Sequence, residues 1–172
     1  MSLCDIIDTI LIMEQKLAGD YIAGFVDGEG CFYLTYRSEK KYSRPGQPIY
    51  HRWVPYFAIV LREDDREILE KIKHTVGCGT ISYTQNQVRF NVQNITDILE
   101  KIIPFFDKYK LQAKKYNDFI LWKEAAQLIS KNIYNNRNYS DKQHQELVNI
   151  REKMKLYKSK MHRGYKNQPY TK

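Results

Sequence analysis

The chain has 172 residues, 42% hydrophobic and 28% charged, which is an ordinary globular composition with length for one domain and a real core. Its 28 Lys+Arg against 20 Asp+Glu leave a formal charge of +8, pointing to a polyanionic partner, with a partnerless basic protein as the plainer alternative. No apolar run reaches the ~20 residues of a membrane span, and acids occupy the N-terminal stretch "MSLCDIIDTILIMEQKL" where a secretory leader needs basic charge. We therefore expect an intracellular protein with no membrane partner, in an organelle or in an archaeal or bacterial cytoplasm.

Cys4, Cys31 and Cys78 are odd in number and widely spaced, so they make neither a disulfide framework nor a zinc ribbon. His51, His74, His144 and His162 show no paired metal spacing. Metal chemistry, if present, falls to carboxylates and a hard cation such as Mg²⁺.

In chain order, Ile6, Ile7, Ile10, Leu11 and Met13 mark a short helix or helical arm over Leu3–Leu17. Asp20 is placed to cap a second helix from Tyr21 to about Val26. Alternation then sets in, with Phe32, Leu34 and Tyr36 on one face of a strand and Tyr33, Thr35 and Arg37 on the other. Pro45, Gly46 and Pro48 make most of Ser38–Arg52 a basic exposed loop. A second strand, Trp53–Leu61, turns Phe57, Ile59 and Leu61 to one side.

Asp64 and Glu67 resemble a capping box for a helix whose Ile68, Leu69, Ile72 and Val76 face inward and which Gly77 and Gly79 stop. Two strands follow, Thr80–Thr84 and Gln87–Gln93, joined at Gln85-Asn86. Asn94 and Asp97 open a helix carrying Ile95, Ile98, Leu99 and Ile102, expected to end near Pro104. Beyond a lysine-rich stretch, Phe119, Ile120, Trp122, Ala126 and Ile129 build an amphipathic helix. Ser140 and Gln143 cap a last one on Leu147, Ile150, Met154 and Tyr157.

This order reads strand, strand, helix twice over, preceded by the glycine-containing helix. It predicts an α+β fold, an αββαββα core with a four-stranded antiparallel sheet and further C-terminal helices. We expect one domain over residues 1–157, with its core at about 20–127 and a basic tail over 158–172. The sheet face away from the helices would carry Tyr33, Thr35, Arg37, Ser82, Thr84, Gln87, Arg89 and Asn91. That set holds no acid, which favours an anionic ligand.

Ile22 to Gly30, "IAGFVDGEG", resembles the LAGLIDADG motif nearly position for position: Ala23 and Gly24 match, Phe25 and Val26 are apolar replacements, and Asp27, Gly28, Glu29 and Gly30 reproduce the acidic end, with Glu29 replacing the commoner last aspartate. The "CFY" strand, the "VGCG" turn and the "FFDKYKLQAKKYNDF" segment are similar to the same homing endonucleases, over roughly Tyr21 to Gln127. Small residues at Ala23 and Gly24 would let this helix pack against a second copy of itself, or against its own sheet. Asp27 lies at the same end and is assigned to the interface. Carboxylates at a helix C-terminus deepen an already negative end, and a dimer would bring two such ends together around a hard metal ion.

The resemblance implies a single-motif, homodimeric, metal-dependent endonuclease that cuts a long pseudo-palindromic double-stranded DNA target in support of intron homing. It makes Glu29 the metal ligand, with the Gly28 carbonyl a candidate helper. The cofactor implied is Mg²⁺, with Mn²⁺ or Ca²⁺ able to occupy the site and Ca²⁺ not supporting cleavage. A lysine near the scissile phosphates matches Lys115, with Lys114 the rival. Each sheet would enter the major groove, while Lys40, Lys41 and Arg44 add phosphate contacts. Where some relatives have a glutamine at the end of the second strand, Leu61 stands here, with Arg62 beside it. Two other readings stay open, an RNA-binding maturase and a DNA-binding regulator without cleavage.

Overall fold

The computed structural model describes residues 16–40, 49–134 and 139–163. Helix α1 (Gly19–Glu29) leads into strand β1 (Gly30–Lys40), followed by β2 (Ile49–Arg62), a 3₁₀ turn at Glu63–Asp65 and helix α2 (Arg66–Val76). Strands β3 (Thr80–Thr84) and β4 (Gln87–Val92) come next. Then follow α3 (Ile95–Asp97), a π-helical turn (Ile98–Ile102), α4 (Ile103–Lys108), α5 (Lys115–Tyr134) and α6 (Asp141–Arg163). The four strands form one sheet in the order β1-β2-β4-β3, so the expected α+β architecture stands.

Several boundaries differ from the sequence expectation, each for a physical reason. Helix α1 starts at Gly19 with Ala18 as its cap, so Asp20 sits inside the first turn, where its charge suits the positive helix end. The predicted loop is shorter, because β1 runs on to Lys40 and β2 begins at Ile49. The Asp64–Glu67 capping box does not form: Asp65 occupies the cap position without a side-chain bond, and Arg62 holds the Asp64 carboxylate at 2.8 Å. Pro104 does not end its helix. The wider π turn before it lets Ile103 N–H reach the Ile98 carbonyl, and the chain stays helical to Lys108. The expected arm over Leu3–Leu17 lies almost wholly outside the described residues, as do Lys41, Arg44 and the end of the basic tail.

Other local signals are met as read. Gly77 takes the left-handed conformation (φ 75°) and closes α2. Asn86 (φ 59°) makes the tight turn between β3 and β4. The Asn94 side chain accepts from Thr96 N–H and Asp97 N–H, and Ser140 and Gln143 exchange their cap bonds.

The chain divides into two compact units, Met1–Phe32 with Pro55–Tyr116, and Tyr33–Val54 with Asn117–Lys172. In the first, Phe32, Phe57, Phe90 and Phe106 form a ring cluster with centroids 5.0–6.0 Å apart. Ile22 and Val26 of α1, Leu69 and Ile72 of α2, and Ile98 and Ile102 of the π turn are also fully buried here. In the second unit, Leu34, Trp53 and Val54 are buried, as are Phe119, Trp122, Ala126 and Ile129 of α5 and Leu147, Ile150 and Met154 of α6.

Strand β2 is buried on both faces, since Tyr56 and Ala58 are as enclosed as Phe57 and Ile59. Alternation alone exposes one face.

Candidate active site

Helix α1 runs into β1 without a linker. The Gly30 N–H closes the helix onto the Val26 carbonyl, and a Cβ at Gly30 would stand 2.5 Å from Val26 Cγ1 and 2.7 Å from that carbonyl oxygen. Only glycine fits this step. It leaves Glu29 as the last helical residue, with its side chain exposed at the negative end of the helix. Gly28 is exposed beside it.

Asp27, two residues earlier, turns its carboxylate onto its own chain. Its Oδ2 accepts from the backbone N–H of Gln112 at 2.7 Å and of Ala113 at 3.2 Å, just ahead of α5. In return the Lys115 ammonium, on the first residue of α5, donates to the Gly30 carbonyl. An acid from the end of α1 thus meets N–H groups just ahead of α5, and a cation from α5 meets the Gly30 carbonyl just past the end of α1. Each charge sits where the other helix's end favours it. This explains how a carboxylate is tolerated at Asp27, and it places Lys115 beside the residue that follows Glu29. Lys114 lies outside the helix and is exposed.

The small residues of the motif face different ways. Ala23 is 3% exposed, within the core of its own unit. Gly24 is exposed, and a Cβ there would meet nothing within 4 Å. Adjacent positions on a helix lie about 100° apart, so the pair divides between two faces. Packing on its own sheet therefore does not explain Gly24. Tyr21, three residues before it, is 51% exposed.

The sheet register aligns the residues of one face of the first unit in cross-strand rows. Ala58, Asn91 and Thr80 form one cross-strand row, Val60, Arg89 and Ser82 the next, and Arg62, Gln87 and Thr84 a third. Ser82, Thr84, Gln87 and Arg89 are exposed, and Asn91 donates to the Thr80 hydroxyl at 3.0 Å. No acid stands in these rows. Thr80 and Arg62 belong to this face but were not assigned to it from sequence. The period-two pattern of β2 carried one residue further reaches Arg62. Leu61 has the opposite phase, in the row of Val88 and Tyr83.

In the second unit Tyr33 and Thr35 are half-buried and Arg37 is exposed, and the Thr35 hydroxyl donates to the Val54 carbonyl at 3.4 Å. Lys40 occupies the last position of β1. Among the described residues no three His, Cys, Asp or Glu side chains cluster as a metal site. No helix among them is long and apolar enough to cross a membrane.

The family model described as "LAGLIDADG endonuclease" matches residues 22–126, more than half of the chain. The chain is 36% identical over 113 residues to "Probable intron-encoded endonuclease 2" of Neurospora crassa, covering 64% of this chain and 22% of that protein. It is 35% identical over 103 residues to "Probable intron-encoded DNA endonuclease 1" of Mycosarcoma maydis, covering 59% and 35%. It thus spans about a third or less of the length of these relatives.

Among solved structures, I-SmaMI bound to uncleaved DNA target in the presence of calcium ions superposes with a TM-score of 0.67 at 25% identity, covering 79% of this chain and 44% of that one. I-GzeII in complex with its DNA target gives 0.66 at 28% identity, covering 80% and 44%. The matched residues include the helix end that carries Asp27, Gly28 and Glu29 and the lysines ahead of α5, and on this evidence the chain belongs to the LAGLIDADG endonuclease family.

Proposed function

We propose that this chain is a site-specific DNA endonuclease that acts as a homodimer on a pseudo-palindromic target and hydrolyses both strands with a divalent metal, Mg²⁺. The observation that carries the reading is the juxtaposition at the motif's end, an exposed Glu29 carboxylate next to the Gly30 carbonyl that the Lys115 ammonium holds. Glu29 and the carbonyl of Gly28 are hard oxygen donors at a negative helix end, a donor set that suits Mg²⁺. Such an ion, when bound, polarises a phosphodiester and lowers the pKa of bound water.

The chain's own residues supply the rest. Lys115 is a fixed cation for the charge that develops on the phosphate. Arg62, Gln87, Arg89 and Asn91 in the first unit, and Tyr33, Thr35 and Arg37 in the second, supply donors and acceptors for base edges in the major groove. Lys40, Lys41 and Arg44 add phosphate contacts. The exposed Gly24 face of α1 supports close approach of a second copy, which would bring two Glu29 carboxylates together. The intron-related names of the relatives support a role in intron homing, and the mitochondrial naming of a further relative supports an organellar setting.

The test is incubation with intron-less target DNA and Mg²⁺, beside Ca²⁺ and beside Glu29→Gln. Double-strand cleavage by the unmutated chain with Mg²⁺ alone is expected. No cleavage of that DNA would sink the reading.

A further inference from the structure

We propose that Asp27 is a positioning residue. Its carboxylate fixes the backbone at Gln112 and Ala113 and thereby holds the Lys115 ammonium at the Gly30 carbonyl beside Glu29. The consequence for cleavage rests on the endonuclease reading above; the backbone anchoring does not.

In the segment between α4 and α5, Leu111 is buried at 4% exposure, while Gln112, Ala113 and Lys114 are exposed. Gln112 Nε2 donates to the Lys110 carbonyl at 3.1 Å and Tyr116 N–H to the Ala113 carbonyl at 3.0 Å, both within the segment or the first turn of α5. The two bonds to Asp27 Oδ2 tie it instead to the motif helix, across 85 and 86 positions of sequence. Lysine reaches its target through a flexible four-carbon stem, so where its Cα starts decides where its ammonium lands. Gln112 is three residues from Lys115, and an anchor there sets that starting point.

The second oxygen of Asp27 argues in the same direction. Oδ1 is buried and has no hydrogen-bond partner among the described residues. A buried carboxylate oxygen without a partner is costly, and a smaller side chain would avoid that cost. What the Asp27 side chain supplies here is one oxygen that accepts from two neighbouring N–H groups just ahead of α5.

The experiment uses the full chain as Asp27→Ala, Asp27→Asn, Lys115→Met and the Asp27→Ala/Lys115→Met double variant. Amide hydrogen exchange at Gln112 and Ala113 and single-turnover cleavage are measured beside DNA affinity. Asp27→Ala should speed exchange at both amides and slow cleavage by roughly ten- to a hundredfold, as displacement of a reacting group by up to about 1 Å does. DNA affinity should stay within about twofold.

Asp27→Asn, which keeps one acceptor oxygen, should restore most of both. In the Lys115→Met background the Asp27 change should slow cleavage no further; an additive effect would overturn the proposal. Should Asp27→Ala not fold, the smaller effect of Asp27→Asn must vanish in that background in the same way. If the unmutated chain cleaves no DNA, the endonuclease reading fails on its own. Exchange then decides this proposal, and unchanged rates at Gln112 and Ala113 overturn it.

Discussion

The indole N–H of Trp53 donates to Nδ1 of His144 at 3.2 Å, joining β2 to α6 across 91 positions of sequence. Trp53 is 2% exposed, so its polar edge depends on this partner. Tyr36 packs against both rings at 4.9 Å, and the Arg151 guanidinium lies 5.1 Å from the Trp53 ring. His144→Ala should lower stability by about 1–3 kcal/mol, the cost of leaving a buried donor unsatisfied. His144→Gln, which can accept at a similar reach, should lose less. Urea denaturation followed by Trp fluorescence measures both.

The two motif glycines make opposite predictions. Gly30→Ala forces a Cβ against the Val26 side chain and carbonyl, and should destabilise the fold by about 1–3 kcal/mol. Gly24→Ala meets open space and removes a helix-weakening residue, so it should stabilise an isolated chain by about 0.5–1 kcal/mol. If α1 packs on a second copy, Gly24→Leu should weaken self-association while the chain stays folded. Thermal unfolding beside light scattering separates the two effects, and a dimer untouched by Gly24→Leu would remove the helix-contact reading.

Cys78 carries the clearest pH signature. Burial, and then the Asp97 carboxylate, push its thiol from 9.0 up to about 11. The folded state therefore holds this proton more tightly than the unfolded one. The associated stability is complete below pH ~9 and is lost as pH rises toward ~11. Cys78→Ala should flatten that fall. At pH 8 Cys78 should also react with a thiol reagent more slowly than the half-buried Cys31.

Lys115 and Lys114 are adjacent but differently placed, since only Lys115 starts α5 and reaches Gly30. Lys115→Met should reduce single-turnover cleavage by about 10²–10³-fold, the usual effect of removing one preorganised charge-stabilising donor. Lys114→Met should stay within about threefold. Equal losses would assign the role to the basic stretch as a whole rather than to one ammonium.

Features coded by neighbours along the chain were readable in advance. Alternation at Val88, Phe90 and Val92 marks the inner face of β4. Gly77, Asn86 and Asn94 each perform a local task that their residue type makes cheap. Glu29 is legible for the same reason, because nine consecutive residues carry the motif. Local signals failed where a competing contact took over, as Arg62 does with Asp64, and where the backbone changed helix type, as it does before Pro104.

The sequence by itself established the order of elements, the motif and the basic, acid-free strand faces, since each depends on spacings of a few residues. It assigned Asp27 to the interface and kept Lys114 as a rival to Lys115, without showing which groups these side chains reach. Those answers depend on Gln112, Ala113 and Lys115 coming back to the end of α1 from some 85 residues away. Hydrogen bonds of that span leave no periodic trace along the chain. They exist only once packing has brought the negative end of one helix to the positive end of another.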